Sequence, residues 1–245
     1  MFPIRDHNPS GRVPYVTYAL LVVNIAVFLL GWFGLKTDYA LAEFYYTWGV
    51  VPAWLMQGQG YEGLLTHMFL HGGWMHLAGN MLFLWIFGDN LEDELGHVRY
   101  LLFYLACGLA AAGLQIAGDP GFDGPLIGAS GAIAGVLGGY LVLFPRAKVD
   151  VLFIFIIFFR VFSISAWIVL GVWFAIQSFN GYAATEDGVA YLAHIGGFIA
   201  GAVLVLPVWL RRGGRAYWAK NHGKPPHPAA EYPISPSRIP RVPRR

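Results

Sequence analysis

The chain has 245 residues, of which 57% are apolar, 16% aromatic and only 12% charged, with 31 glycines and a net charge of +2. A typical soluble domain carries about 25% charged residues, so this chain has too few to cover a water-facing surface. Its mean hydropathy of +0.54 is that of a polytopic membrane protein. The same numbers exclude a disordered chain and a nucleic-acid-binding module, and the single cysteine, Cys107, excludes an internal disulfide.

The first twelve residues, MFPIRDHNPSGR, are polar and turn-rich and form a short N-terminal segment outside the membrane. Six apolar segments follow, over about 13–35, 74–88, 98–117, 130–144, 161–179 and 189–210. A bilayer core of about 30 Å takes about 20 helical residues to cross. Segments one, three, five and six reach that length, whereas two and four look short. The pattern predicts an all-α fold, a six-helix transmembrane bundle over residues 13–210. Fifteen of the sixteen basic residues fall before segment one, after segment two (Arg99, at the inner end of segment three), between four and five, or after six; only Lys36 falls on the other side. The positive-inside rule then places both termini in the cytoplasm and makes this a multi-pass protein of the cell (plasma or inner) membrane.

Residues 36–73 form a long outer loop that is full of aromatic and apolar residues (FYYTWGVVPAWL, then LLTHMFLHGGW). A solvated loop rarely has that composition, so it is expected on the membrane surface or between helices. Residues 151–159, VLFIFIIFF, are too few to span and read as an interfacial or re-entrant piece; the alternative is a longer fifth helix. Residues 211–245 form a basic tail rich in proline and arginine, expected to be disordered and suited by charge to anionic lipid.

Polar groups inside a membrane are costly, so each one is a candidate for function. Asn24 and Gln177 are read as single interhelical hydrogen bonds and nothing more, and Cys107 as a packing residue. Ser130 lies in Gly128-Ala129-Ser130-Gly131, where a loop with Pro120, Gly121, Gly124 and Pro125 turns into segment four. From Ser130 to Pro145 is about 22 Å of helix, which sinks the serine below the outer membrane surface. At a helix N-terminus the free N–H groups and the positive end of the dipole suit a developing anion. From the tetrapeptide alone, an N-cap serine is the commoner reading.

His194 supplies a base. Segment six carries His194, Gly197 and Gly201 on one helix face, and segment four carries Gly131, Gly135 and Gly139 beside Ser130. Two glycine stripes permit close helix contact in a bilayer, and that contact could bring His194 to Ser130. A serine hydroxyl needs such a base to become a nucleophile. His76 and Asn80 share a face of segment two at about the same depth, and their N–H groups are donors of the kind an oxyanion hole needs. A rival reading of His67, His71 and His76 as metal ligands is disfavoured, because Gly72-Gly73 breaks the helix between them and no glutamate is adjacent. A transporter would call for a mid-span carboxylate or an inverted repeat, and the sequence offers neither.

The string from His71 to Gly88, HGGWMHLAGNMLFLWIFG, resembles the second transmembrane helix of rhomboid intramembrane serine proteases. Gly128-Ala-Ser130-Gly131 is similar to their GxSG nucleophile motif, and Ala193-His194-Ile-Gly-Gly197-Phe-Ile-Ala-Gly201 to their AHxxGxxxG base motif. The order of the motifs, the helix count and the large first loop also match, over about residues 13–210. The resemblance implies a serine endopeptidase with a Ser130–His194 dyad, no cofactor and no metal. Its oxyanion would be held by His76, Asn80 and the Ser130 backbone N–H. Partners would be membrane lipids and transmembrane protein substrates, cut in or near their membrane segments, and segment five with the loop at 180–189 would be the mobile gate. The alternative is a catalytically inactive relative that binds transmembrane segments for trafficking or quality control. Two departures from the family stand out. Ala134 occupies the position where some members stack an aromatic ring on the base, so another ring must do so here, and the first loop lacks a tryptophan–arginine pair.

Overall fold

The computed structural model describes residues 2–155, 158–183, 189–226, 228 and 230. Each apolar segment centres on a helix. Helix α1 spans Tyr15–Gly34, and the outer loop folds into α2 (Asp38–Trp48), α3 (Pro52–Leu55), α4 (Gly63–Thr66) and a 3₁₀ turn at His67–Phe69. Then come α5 (Trp74–Leu95), α6 (His97–Gly118), α7 (Ser130–Leu143), α8 (Ala166–Ala183), α9 (Tyr191–Arg211) and a short α10 (Arg215–Asn221). By length and composition α1, α6 and α9 are each apolar enough to cross a membrane, and α7 is a shorter apolar helix.

Helix α7 lies at the centre. Every residue from Gly131 to Tyr140 is buried, so it is packed on all sides and enclosed by α5, α6, α8 and α9. Its glycines set the closest approach. A Cβ on Gly197 would sit 1.9 Å from the Gly131 carbonyl oxygen, and one on Gly201 1.9 Å from that of Gly135. A Cβ on Gly135 would meet Cys107 Sγ at 2.4 Å, which accounts for a small side chain there. Gly139 faces Leu91 and Phe103. Gly138, on the same helix, would place a Cβ 2.1 Å from the Phe198 carbonyl oxygen, so the stripe holds one more member than its four-residue spacing suggests. Small residues let helix backbones touch where lipid provides no hydrophobic drive.

Segment two is longer than its apolar run. Helix α5 continues past Asp89 to Leu95 and has 22 residues. Its acidic end is matched by partners from elsewhere in the chain. Glu92, 1% exposed, accepts the Val16 and Thr17 backbone N–H groups at 2.8 and 2.7 Å and so caps the start of α1, while His97 bonds it from the other side at 2.5 Å. Asp93 pairs with Arg12 at 3.5 Å, and Glu94 with Arg212. Gly96, at φ +76°, is the whole connection between α5 and α6, in a left-handed conformation that a side chain would resist.

The all-α bundle also carries a three-stranded antiparallel sheet, in the order β1-β2-β3, which the sequence reading lacks. Strand β1 is Phe2–Asp6, β2 is Lys148–Phe155 and β3 is Phe158–Ser165. Residues 151–155 and 158–159 are therefore neither re-entrant nor part of a longer fifth helix; they lie in paired strands, and the fifth helix begins at Ala166, not at 161. Val149 and Val151 are fully buried, while Asp150 between them binds Arg5 at 2.6 Å and His7 at 2.9 Å and accepts the Ser163 hydroxyl. Alternation of this kind marks a strand with two differently used faces. Tyr140 donates to Asp6 at 2.7 Å, which ties β1 to the far end of α7.

The tail is not uniformly structureless. Within it, α10 folds back on the bundle: the Trp218 indole donates to the Val142 carbonyl at 3.0 Å, and Arg146 N–H to the Gly223 carbonyl at 2.8 Å. Residues 231–245, like 184–188 of the expected gate loop, lie outside the described residues.

Candidate active site

Ser130, His76 and His194 all lie near helix starts, at the end of the bundle opposite the sheet and the Arg12–Asp93 and Arg212–Glu94 pairs. Ser130 is the first residue of α7, and the chain reaches it through a braced loop. Val50 and Leu126 exchange backbone hydrogen bonds at 3.1 and 2.7 Å, and Gly128 N–H donates to the His67 carbonyl at 2.9 Å. Thus the aromatic outer loop is built into the wall of the site. Gly128 has φ +130°, and a Cβ there would strike His76 Nε2 at 2.7 Å while lying 3.6 Å from Ser130 Oγ. Only glycine fits, and the His76 ring and the Ser130 hydroxyl flank one α-carbon.

Ser130 Oγ and His194 Nε2 are 2.9 Å apart, joined across the α7–α9 glycine contact. On its other side, His194 Nδ1 meets Gln177 Oε1 of α8 at 2.7 Å. An amide oxygen accepts, so Nδ1 carries the proton and the Nε2 lone pair faces the serine hydroxyl. This is the tautomer that a general base requires. The ring that covers His194 is Trp173, with centroids 5.8 Å apart and planes 35° apart, and Tyr191 meets it edge-on at 6.3 Å. Trp173 supplies what Ala134, fully buried in α7, cannot. Gln115 of α6 accepts the Ala193 N–H at 3.0 Å and holds the start of α9.

His76 Nδ1 accepts the Gly72 N–H at 3.4 Å, which leaves Nε2–H as a donor beside Ser130. Asn80 lies one turn further along α5, 7% exposed, and its amide nitrogen has no hydrogen-bond partner among the described residues. A buried donor without a partner costs free energy unless something accepts from it. No backbone hydrogen bond engages the N–H groups of Ser130, Gly131 and Ala132 among the described residues, as expected in the first turn of a helix. These are donors of the kind that can hold an anion.

Of the histidines once weighed as ligands, His67 bonds the Gly63 carbonyl at 2.9 Å, and the His71 ring packs at 5.0 Å against that of His76. Among the described residues, no three histidine, cysteine or carboxylate side chains stand together as a metal site. Asn24 donates to the Leu20 carbonyl of its own helix at 2.8 Å, and its side chain also meets the Tyr104 hydroxyl of α6. Gln177 does make an interhelical bond, but to the histidine itself. A sequence signal for it exists: Ala166, Leu170, Trp173 and Gln177 are spaced four, three and four apart, an inward stripe of α8.

A membrane-embedded helical bundle that joins a serine at one helix N-terminus to a histidine on a glycine-packed neighbour defines the class. A rhomboid domain profile matches residues 57–211, well over half the chain, and the protein belongs to the rhomboid family. It is 29% identical over 198 residues to Rhomboid protein 1, mitochondrial, of Saccharomyces cerevisiae, covering 77% of this chain and 51% of that one. It is 27% identical to Rhomboid-like protein 11, chloroplastic, of Arabidopsis thaliana (84% and 69%), and 35% identical to Rhomboid protease GluP of Bacillus subtilis (62% and 28%). The chain thus spans about half the length of the yeast relative.

Proposed function

We propose that the protein is an intramembrane serine endopeptidase that hydrolyses peptide bonds in or near transmembrane segments of other membrane proteins. The observation that carries this reading is the 2.9 Å contact between Ser130 Oγ and His194 Nε2 at the N-terminus of α7. In the reaction, His194 Nε2 takes the hydroxyl proton as Oγ attacks the scissile carbonyl carbon. Negative charge builds on the carbonyl oxygen, where the Ser130 N–H, His76 Nε2–H and Asn80 amide donate to it. His194 then passes the proton to the leaving amine, and water enters by the same base to release the acyl group.

Helices α1, α5, α6, α7, α8 and α9 serve as six spans, with α7 the short central one, and both termini lie in the cytoplasm of a plasma or inner membrane. The clustering of Arg5, Arg12 and Arg212 at the end away from Ser130 supports that orientation. Exposed Tyr39, Tyr46 and Trp48 on α2 suit an outer loop seated in the headgroup region. A relative that bears the name of a protease, GluP, supports the enzymatic reading. The test is cleavage of a single-pass substrate in reconstituted vesicles. Wild type cuts it, and Ser130→Ala and His194→Ala remain folded and inactive. A wild-type protein that binds but never cuts any such substrate would leave the chain a non-catalytic binder of membrane segments.

A further inference from the structure

We infer that Gln177 is a positioning residue for the base, so that the site operates as a hydrogen-bonded Ser130–His194–Gln177 triad and not as a serine–histidine pair alone. This rests on the dyad reading above. The juxtaposition is direct: Gln177 Oε1 lies 2.7 Å from His194 Nδ1 while His194 Nε2 lies 2.9 Å from Ser130 Oγ. The bond Gln177 makes decides which imidazole nitrogen holds the proton. With the amide oxygen accepting from Nδ1–H, Nε2 is left as the base. Without it, the neutral ring is free to place its proton on Nε2, which then donates to Ser130 and cannot deprotonate it.

The surroundings show why an amide serves here. Gln177 is 8% exposed on a helix whose other face is lined by apolar side chains. A carboxylate at that depth would be an expensive buried charge, whereas a neutral acceptor fixes the tautomer without one. When His194 takes the serine proton, the same oxygen accepts from the imidazolium, and a hydrogen bond to a charged group is stronger than one to a neutral group. Trp173 lies one turn earlier on the same face of α8 and covers the ring. One helix thus clamps the imidazole twice, from its edge and over its face. Leu170, fully buried, and Ala166 continue the stripe and seat α8 on the bundle.

The experiment uses the full-length protein in vesicles, with kcat and KM measured against pH on a single-pass substrate, and thermal melting alongside. Gln177→Leu keeps the size and removes the acceptor; kcat should fall about 10- to 100-fold with KM little changed. Gln177→Glu restores the acceptor and adds charge. It should recover most of the lost kcat and move the acidic limb of the profile upward, because a carboxylate beside the imidazole favours its protonated form. Wild-type kcat in Gln177→Leu overturns the proposal. So does a Gln177→Glu enzyme that neither recovers kcat nor shifts its limb, since that pattern belongs to packing alone; this variant decides the matter even if Gln177→Leu folds poorly. Ser130→Ala runs in parallel: cleavage there would sink the dyad itself, whereas an inactive Ser130→Ala with an indifferent Gln177→Leu sinks only the positioning role of Gln177.

Discussion

Gly197→Ala puts a methyl group into space that the neighbouring backbone already occupies. The added Cβ would lie 1.9 Å from the Gly131 carbonyl oxygen and 2.8 Å from its carbonyl carbon. An ordinary carbon–oxygen contact is about 3.3 Å, so α7 and α9 must part by more than an ångström at this level. Neither atom is the end of a flexible side chain, so nothing else can give. Ser130 adjoins Gly131, and His194 is one turn before Gly197. The separation therefore carries the 2.9 Å Ser130–His194 contact out to about 4 Å, beyond a useful hydrogen bond. Overpacking of this kind costs about 1–3 kcal/mol of stability, and losing the base lowers the rate by about 10²–10⁴-fold. The assay is cleavage of a single-pass substrate in vesicles, with melting recorded in the same preparation. Gly171→Ala is the control, because a Cβ there meets nothing within 4 Å; it should cleave normally. A Gly197→Ala protein that cleaves within twofold of wild type would refute the claim that this contact sets the geometry of the site.

Other outcomes follow from the same structure. Asn80→Ala should lower kcat by about 10²–10³-fold with little change in KM, the loss typical of one oxyanion donor; an unchanged kcat would remove Asn80 from the site. Burial pushes the Asp6 carboxyl up to about 8, and Asp89 adds to the rise against the pull of the Tyr140 hydroxyl. Folding thus favours the protonated form, so stability is greatest below the usual carboxylate range and is lost as pH rises toward 8. Thermal melting should show that fall, and Asp6→Asn should flatten it; an equal slope in the variant would show that other groups cause it. Asp150 behaves in the opposite sense: burial alone would raise its carboxyl, but Ser163, Arg5 and His7 together hold it below its ordinary value. Asp150→Ala should loosen β1 and expose the first six residues to protease, leaving cleavage of substrate largely intact.

The helices were legible because lipid-facing segments must be long and apolar, and the serine, the histidine and their glycine stripes were legible because each motif is local. The features that escaped are non-local. Helix α5 was cut short at Asp89 because its acidic end reads as a terminus. Only the folded chain brings the Val16 and Thr17 N–H groups, Arg12 and Arg212 to those carboxylates. The hairpin hid in a run whose β-branched and aromatic residues fit strand, buried helix or interface alike, and its partner, β1, lies nearly 150 residues away in the polar N-terminal segment. Gln177 looked like an ordinary interhelical polar residue, since nothing adjacent in sequence tells it from one. Its meaning comes from the nitrogen it faces. Trp173 was foreseen as a need for some ring and not as that residue, because the ring comes from α8 and not from the serine's own helix.

The most direct test of the central claim is labelling of the purified protein by a fluorophosphonate probe, with the modified residue mapped by mass spectrometry. Phosphonylation of Ser130 in wild type, abolished in His194→Ala while that variant still melts cooperatively, is the expected result. An unreactive Ser130 in a folded wild-type protein, or equal labelling without the imidazole, would contradict it.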